Sequence, residues 1–343
     1  MTLLESNTGG SGVYARGLLG ALRARDDMDV DVVASPRGGG AGTASWMLAG
    51  ARKAASAAGD DLLHSPGFLI PFRVGTPLVI TIHDLSLAKM PQGHPLEWRL
   101  YYQLVFPALV RTARAVITPT EATRQDVIAE LRVEPSRVTV TPYGVSDRFF
   151  RSESGTGPAS APPTVLFSGP PIKRKNLDAV LRVLASPPSG GVLESARLKI
   201  SGATAADFPA YATWIRDHGL ESRVEWLGVV PSEELPALYA SASVFVYPSF
   251  LEGFGFPPLE AMAAGTPVVA SNASCLPEVL GSGALLIDPS DDAGLALALE
   301  HVLREQAVRA RLVNAGREWV RKYTWQRCGD LTADVYRRVA GVA

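Results

Sequence analysis

The chain has 343 residues, enough for two domains of ordinary size, and 47% of them are hydrophobic and 20% charged, the balance of a folded globular protein rather than a disordered one. Its formal net charge of −1 is spread nearly evenly, with no basic tail or stripe, which argues against nucleic acid as a partner. Two distant cysteines, Cys275 and Cys328, form no disulfide framework or metal-ligand pattern, and a reducing cytosol fits them; no apolar run is long enough to cross a bilayer, and the N-terminal MTLLESNTGG does not read as a signal peptide.

In chain order, a very short apolar segment, Met1–Leu4, runs into Thr8-Gly9-Gly10-Ser11-Gly12, and Val13–Arg25 has a helical pattern with Val13, Leu18, Leu19 and Leu22 on one face. Strand, glycine loop and helix can cradle a phosphate, because the N–H groups and dipole at a helix start favour an anion. The spacing matches neither the P-loop nor the dinucleotide fingerprint, and a plain flexible turn explains it as well. Asp29-Val30-Asp31 is an acidic pair of the kind that can hold a divalent cation. No further oxygen ligands accompany it, and it reads as the opening of a strand, Val30–Ala34. A glycine-rich loop, Arg37–Gly42, and an alanine-rich helix, Ala44–Ala58, follow.

Asp61–His64 and Leu78–Ile82 are short apolar strands, each ending at a histidine, His64 and His83. A side chain just past the carboxyl end of a parallel strand faces the crevice where open α/β sheets bind ligands. A lone histidine is more often a satisfied polar group; two at equivalent strand ends single out His83 as a site candidate. Pro95–Ala115 predicts a long helix, kinked at Pro107. Its large apolar residues fit packing against the sheet, although the same mix, with Arg99, Arg111 and Arg114 at the headgroups, could meet a membrane surface. A strand at Ala115–Thr118, a helix at Glu121–Leu131 and a strand at Val138–Thr141 complete a β/α alternation that argues for a doubly wound sheet.

RSESGTGPASAPP, Arg151–Pro163, has the composition of an interdomain linker. It divides the chain into domains at 1–150 and 164–323, with a final amphipathic helix at 324–343. After it the pattern restarts with a strand, Thr164–Phe167, a loop, and a helix from Asn176, its N-cap candidate. The loop GPPIKRK puts Lys173, Arg174 and Lys175 beyond a strand end and before a helix. A solvated basic loop is the plain reading, and a phosphate clamp is the one its place at the carboxyl edge favours. Strands at Arg197–Ser201 and Val224–Leu227 precede the most informative stretch, VFVYPSFLEGFGFPPLEAMAAGTPVVAS, Val244–Ser271. Val244–Pro248 and Pro267–Ala270 have the composition of buried strands. Between them lie a loop of glycines and aromatic residues carrying Glu252, and a short helix, Leu259–Ala264, with Glu260 in its first turn. Matching the helix dipole would account for Glu260 and loop polarity for Glu252. Neither accounts for the glycines, which permit close backbone approach to a ligand.

The stretch EGFGFPPLE, Glu252–Glu260, resembles the E-x7-E signature of the retaining GT-B glycosyltransferases of family GT4, continued by AMAAGTPVVAS and LPEVLG. Further matches run along nearly the whole chain: TGGSGVY at Thr8–Tyr14, ITIHDL at Ile80–Leu85, ITPTEATRQDV at Ile117–Val127, VTPYGV at Val140–Val145, IKRKNL at Ile172–Leu177 and VEWLGVVPSEELPALYASA at Val224–Ala242. GFGFPPLEAM with RKN is similar to the branch that includes bacterial mannosyltransferases of polysaccharide assembly. The resemblance implies an α/β GT-B fold, two Rossmann-like doubly wound domains facing a central cleft. The first would bind the acceptor and the second the donor, and the C-terminal helix would cross back to the first.

It further implies that Glu252 and the N–H groups of Gly253, Phe254 and Gly255 hold donor-sugar hydroxyls, while Glu260 holds the ribose hydroxyls. Lys175 would hold the diphosphate, with Arg174 and the backbone of Gly10 and Ser11. Gly228 and Val229 would contact the base, and His83 would stand beside the sugar and acceptor. Glu252, Lys175 and His83 are thus the catalytic candidates. The co-substrate implied is a GDP- or UDP-linked sugar, mannose from GDP-mannose first, with no metal or other cofactor. The acceptor is a hydroxyl compound, lipid-linked glycans included, for an enzyme working in the cytoplasm or at the inner face of the cell membrane. Departing from the pattern, Pro170 stands where many relatives carry arginine, and the first strand is short. A nucleotide-sugar epimerase, a GT-B pseudo-glycosyltransferase and an inactive nucleotide-sugar binding protein are the alternatives the resemblance leaves.

Overall fold

The structure is a computed structural model that describes residues 9–33, 59–71, 75–93, 95–151 and 162–341. The expected strand Met1–Leu4, the loop Arg37–Gly42, the helix Ala44–Ala58 and most of the linker lie outside these. The chain divides into two compact units, one of Met1–Gly144 with Tyr323–Ala343 and one of Val145–Lys322. The boundary therefore falls before the expected 150. The turn Asp147–Arg151 belongs to the second unit because Phe149, fully buried, packs its ring 5.9 Å from that of Tyr239.

The first unit holds a parallel sheet in the order β1 (Leu63–Ser65), β2 (Leu78–Thr81), β3 (Ala115–Thr118), β4 (Val138–Val140). Strand alternation sends neighbouring residues to opposite faces, and each face has its own cover. Ile80, Val116 and Val138 pack with Phe106, Leu109, Val110 and Val127, while Val79, Ala115 and Ile117 pack with Val335 of the C-terminal helix Trp325–Ala340. That helix starts with Thr324 accepting a hydrogen bond from the Arg327 N–H at 3.1 Å, and it also packs on the helix Gly10–Arg23. Asp29–Val33 forms no ladder among the described residues, in place of the expected strand Val30–Ala34.

The expected long helix at Pro95–Ala115 is instead two α-helical pieces, Leu96–Leu100 and Phe106–Thr112, joined by a π turn at Tyr101–Val105. Pro107 has no N–H to give residue 103 and its ring would press on that carbonyl. The turn before it widens, and the Phe106 N–H reaches back to the Tyr101 carbonyl. Packing claims only half of the segment: Tyr102, Phe106, Leu109 and Val110 are buried, whereas Leu96, Trp98, Leu100, Leu104 and Val105 are exposed. Among the described residues, no helix is long and apolar enough to cross a membrane.

The second unit is a six-stranded parallel sheet in the order β10-β9-β8-β5-β6-β7. The strands are β5 (Thr164–Ser168), β6 (Arg197–Ser201), β7 (Val224–Gly228), β8 (Val244–Tyr247), β9 (Val268–Ser271) and the edge strand β10 (Ala284–Ile287), which the sequence pattern did not mark. β8 and β9 are buried throughout, as strands covered on both faces must be. Val165, Phe167, Ile200, Val244 and Val246 form the core with the helices Leu177–Ala185 and Asp292–Arg304. From β5 the chain winds outward through β6 and β7, then returns to lay β8, β9 and β10 on the other side. The winding direction thus reverses between β5 and β8. Ligands of open α/β sheets bind outside the carboxyl ends of the strands at such a reversal.

Candidate active site

The loops that leave β5 and β8 carry the cations and the first carboxylate. Beyond β5, Gly169 and Gly202 sit at the ends of neighbouring strands with φ of +116° and +94°, and a Cβ on Gly202 would come within 3.2 Å of Gly169 Cα. Only glycine suits that approach, which lets the loop turn back into the single 3-10 turn Lys173–Lys175. Two backbone-linked contacts join this turn to the β8 loop: the Phe250 N–H donates to the Arg174 carbonyl at 2.9 Å, and the Arg174 guanidinium donates to the Leu251 carbonyl at 2.7 Å.

The charges then meet. Lys175 Nζ stands 2.8 Å from Glu252 Oε1 and Arg174 Nη1 2.8 Å from Glu252 Oε2, with Lys175 and Glu252 both buried. Lys175 also donates to the Tyr247 hydroxyl, and its ammonium lies 4.4 Å from that ring's centroid. Burial alone would push the Glu252 carboxyl up; the charges of Lys175 and Arg174 outweigh it, and its pKa lies below the ordinary carboxylate value. Glu252 is thus a buried carboxylate ionised at neutral pH between two cations. Its backbone is pinned by Ser274, which accepts from the Glu252 N–H at 3.3 Å and donates to the Glu252 carbonyl at 2.6 Å.

Glu260 differs in kind. The helix runs Phe256–Ala263, so Glu260 lies in its second turn, not the first as expected, and the dipole does not explain it. The pair Pro257-Pro258 sits inside the first turn, which needs no N–H from it, so the helix begins earlier than the prolines suggest. Before it, Gly255 has φ +94° with Leu276 packed 3.0 Å from where a Cβ would be. Glu260 is 9% exposed and accepts from the Tyr239 hydroxyl at 3.1 Å. Burial pushes its pKa up to about 7, against smaller downward pulls from that hydrogen bond and from Arg148. Phe254 is buried beside Phe256, Gly228 closes β7 with φ +66°, and Val229 is 74% exposed just after it.

In the first unit, Gly10 and Ser11 are the first residues of the helix Gly10–Arg23, capped at Gly9, rather than part of the loop before it. His83 lies past β2, with Nε2 2.9 Å from the Pro66 carbonyl and Nδ1 2.6 Å from the Tyr143 hydroxyl. A carbonyl only accepts, so Nε2 carries the proton. Burial lowers the His83 pKa, against weaker raising influences from Pro66 and Asp84, so the ring is neutral and Nδ1 accepts from Tyr143. Alongside, His64 joins Tyr336 of the C-terminal helix at 2.6 Å to Thr81 at 2.8 Å, and Thr81 meets Tyr14 at 2.8 Å. Burial first, then the repulsion that two protonated imidazoles side by side would feel, brings His64 down to about 3.

Lys175, Arg174 and Glu252 come together, and Glu260 follows in the adjoining helix. Tyr247, Tyr239 and Ser274, which hold these groups, and Tyr143, which holds His83, were not picked out from the sequence. Tyr247 could have been, since a tyrosine closing a buried strand needs a partner for its hydroxyl. Ser274, at φ +57°, left no such signal.

The family profile "Glycosyl transferases group 1" matches residues 151–319 and "Glycosyltransferase Family 4" matches residues 8–149. The chain belongs to the family 4, group 1 glycosyltransferases. It is 29% identical over 289 residues to O-antigen chain mannosyltransferase B of Escherichia coli, covering 81% of this chain and 74% of that one. It is 29% identical over 315 residues to the MMP alpha-(1->4)-mannosyltransferase of Mycolicibacterium hassiacum, covering 88% and 75%. Among solved structures, sucrose-phosphate synthase from Thermosynechococcus elongatus superposes with a TM-score of 0.79 over 97% of this chain and 94% of that one, at 23% identity; that likeness is one of GT-B fold. The family makes the chain a glycosyltransferase enzyme.

Proposed function

We propose that this glycosyltransferase moves a sugar from a nucleoside-diphosphate sugar to a hydroxyl acceptor with retention of configuration and without a metal. The Lys175–Glu252–Arg174 cluster at the β5/β8 reversal, its lysine and glutamate buried and its arginine half-buried, carries the reading. Departure of a nucleoside diphosphate builds negative charge on the leaving oxygens, and cations fixed in a dry setting stabilise it without having to reorganise. Lys175 and Arg174 supply those charges. Glu252, with the N–H groups of Gly253–Gly255, holds donor-sugar hydroxyls, Glu260 takes the ribose hydroxyls, and Gly228 and Val229 border the base. The bond from the anomeric carbon to the diphosphate breaks as the bond to the acceptor oxygen forms on the same face. The acceptor proton passes to a diphosphate oxygen, and neutral His83, its two ring nitrogens held by Pro66 and Tyr143, stands beside the sugar and acceptor as a fixed wall. Mannose from GDP-mannose is the donor of choice, supported by the mannosyltransferase names of the relatives described above.

The acceptor of this reading sits at a lipid surface. The exposed Leu96, Trp98, Leu100, Leu104 and Val105, with exposed Arg111 and Arg114, support contact with anionic headgroups. Two measurements test the proposal. In the first, GDP-mannose and UDP-sugars are incubated with hydroxyl acceptors, with and without chelator, and the product anomer is read by proton NMR. An α-linked product from an α-linked donor, formed equally with chelator, is expected; an inverted product, or loss with chelator, contradicts the mechanism. In the second, Leu100→Ser with Leu104→Ser lowers co-sedimentation with anionic vesicles about tenfold, and unchanged sedimentation removes the lipid-surface contact.

A further inference from the structure

Asn176 follows the cationic turn and stands at the N-cap position of the helix Leu177–Ala185, yet its side chain makes no cap hydrogen bond, contrary to the sequence expectation. It is buried, 3% exposed, with φ +56°. Its Nδ2 donates to the Pro248 carbonyl at 3.1 Å and to the Pro289 carbonyl at 2.8 Å. Carbonyls only accept, so the amide nitrogen must be the atom facing both. Pro248 directly follows β8, and Pro289 lies two residues past β10. One side chain therefore ties the turn bearing Arg174 and Lys175 to the loops that leave two other strands, one of them the loop that carries Glu252.

The residue type is narrowly determined. A left-handed backbone is tolerated by glycine, asparagine and aspartate. Of these, asparagine alone brings two N–H donors for two carbonyls; aspartate would aim a carboxylate at them, and glycine would leave both carbonyls unpaired in a buried place. Other backbone bonds already hold the turn's fold. The Asn176 amide adds a tie to Pro248 at the very end of β8, beside the contacts of Arg174 with Phe250 and Leu251 further along the loop, and so helps to set the distance between Lys175 and Glu252.

From this geometry we infer that Asn176 is a positioning residue that sets Lys175 against Glu252 for transfer; the inference rests on the donor-clamp reading above. It touches neither the cluster's charges nor the expected ligand, so its effect passes through Lys175. A displacement of the order of an ångström at a reacting centre can cost about 100-fold in rate. Asn176→Gly, which keeps the left-handed turn, is expected to lower kcat/KM for the donor by about 10- to 100-fold.

The test is a double-mutant cycle of full-length protein, with Asn176→Gly made in the native and Lys175→Met backgrounds and kcat/KM for the donor measured by product formation below each variant's melting temperature. A positioning role predicts that the Asn176→Gly loss shrinks to within about threefold once Lys175 is gone, because the two act as one unit. Equal losses in both backgrounds overturn the inference and leave the clamp reading standing. If Lys175→Met itself leaves kcat/KM unchanged, the clamp reading falls and the inference with it. Asn176→Asp, which also keeps the turn, is read in the same cycle with the same expected coupling and serves where the glycine variant does not fold.

Discussion

The carboxyl edges of the two sheets are built from different chemistry. At the edge of the second unit, charges are gathered: buried Lys175 and half-buried Arg174 both contact buried Glu252, and Glu260 follows in the next helix. At the edge of the first unit, the buried polar groups are neutral rings and hydroxyls, with His83 held by Tyr143 and Pro66, and His64 by Tyr336 and Thr81. A buried ion cluster costs desolvation that its own attraction barely repays, so keeping one suits a ligand that brings charge of its own. A neutral network holds direction instead, because each donor fixes the lone pair of the next group. The contrast fits a phosphate-bearing ligand at one edge and a hydroxyl-bearing one at the other.

If the contrast holds, removing a charge should hurt most at the second unit's edge. Lys175→Met leaves Glu252 buried with one partner. Loss of half of a buried pair costs about 3–5 kcal/mol, and loss of one preorganised charge costs about 10²–10³ in rate. Urea unfolding should show the first and kcat/KM for the donor the second. Glu252→Gln comes next. Transfer should fall about 100-fold, while the nucleoside diphosphate alone, titrated calorimetrically, should bind as tightly or more tightly, because the cations lose their internal counter-charge. Weaker diphosphate binding by this variant would mean that Glu252 does not compete for those cations.

A smaller effect should appear in pH. Glu260 is raised from an ordinary 4.5 to about 7 by burial, so between these values the folded state holds a proton that the unfolded chain has released. The contribution of Glu260 to stability should therefore be full below about 4.5 and be lost as pH rises through 7, by on the order of 3 kcal/mol, so that native protein and Glu260→Gln diverge over that window. Donor affinity should run the other way under the proposed role, in which the ionised carboxylate takes the ribose hydroxyls: the donor Kd should weaken as pH drops below about 7, and the glutamine variant should not show it. The smallest change is expected at the neutral edge. Tyr143→Phe removes a hydroxyl and no charge, so kcat should fall about tenfold with donor Kd unchanged. The nitrogen chemical shifts of His83 should lose the signature of an accepting Nδ1. A larger effect on donor Kd than on kcat would erase the distinction between the edges.

Much of the second unit was legible in the sequence because its strands are buried on both faces and read as continuous apolar runs, as in VFVY and VVAS. The pairing of Lys175 with Glu252 was not, since 77 positions separate them and the reversal between β5 and β8 brings them together. Local signals misled where a long-range partner decided the outcome. Asn176 carries a capping residue's chemistry but spends it on Pro248 and Pro289. The turn at Phe149 sits beside a linker-like stretch and follows Tyr239 into the second unit. At Pro107 the kink was readable, and its form as a π turn was not. His83 was singled out by its strand end, but its tautomer depends on Tyr143, 60 positions away.

Calorimetric titration of GDP-mannose and UDP-sugars into the native protein and Lys175→Met, in the presence of chelator, tests whether Lys175 and Arg174 hold the donor diphosphate. One donor should bind the native protein, survive chelation and weaken at least 100-fold in the variant. A donor that binds both proteins equally, or only when divalent metal is restored, would contradict the assignment of the diphosphate to this cluster.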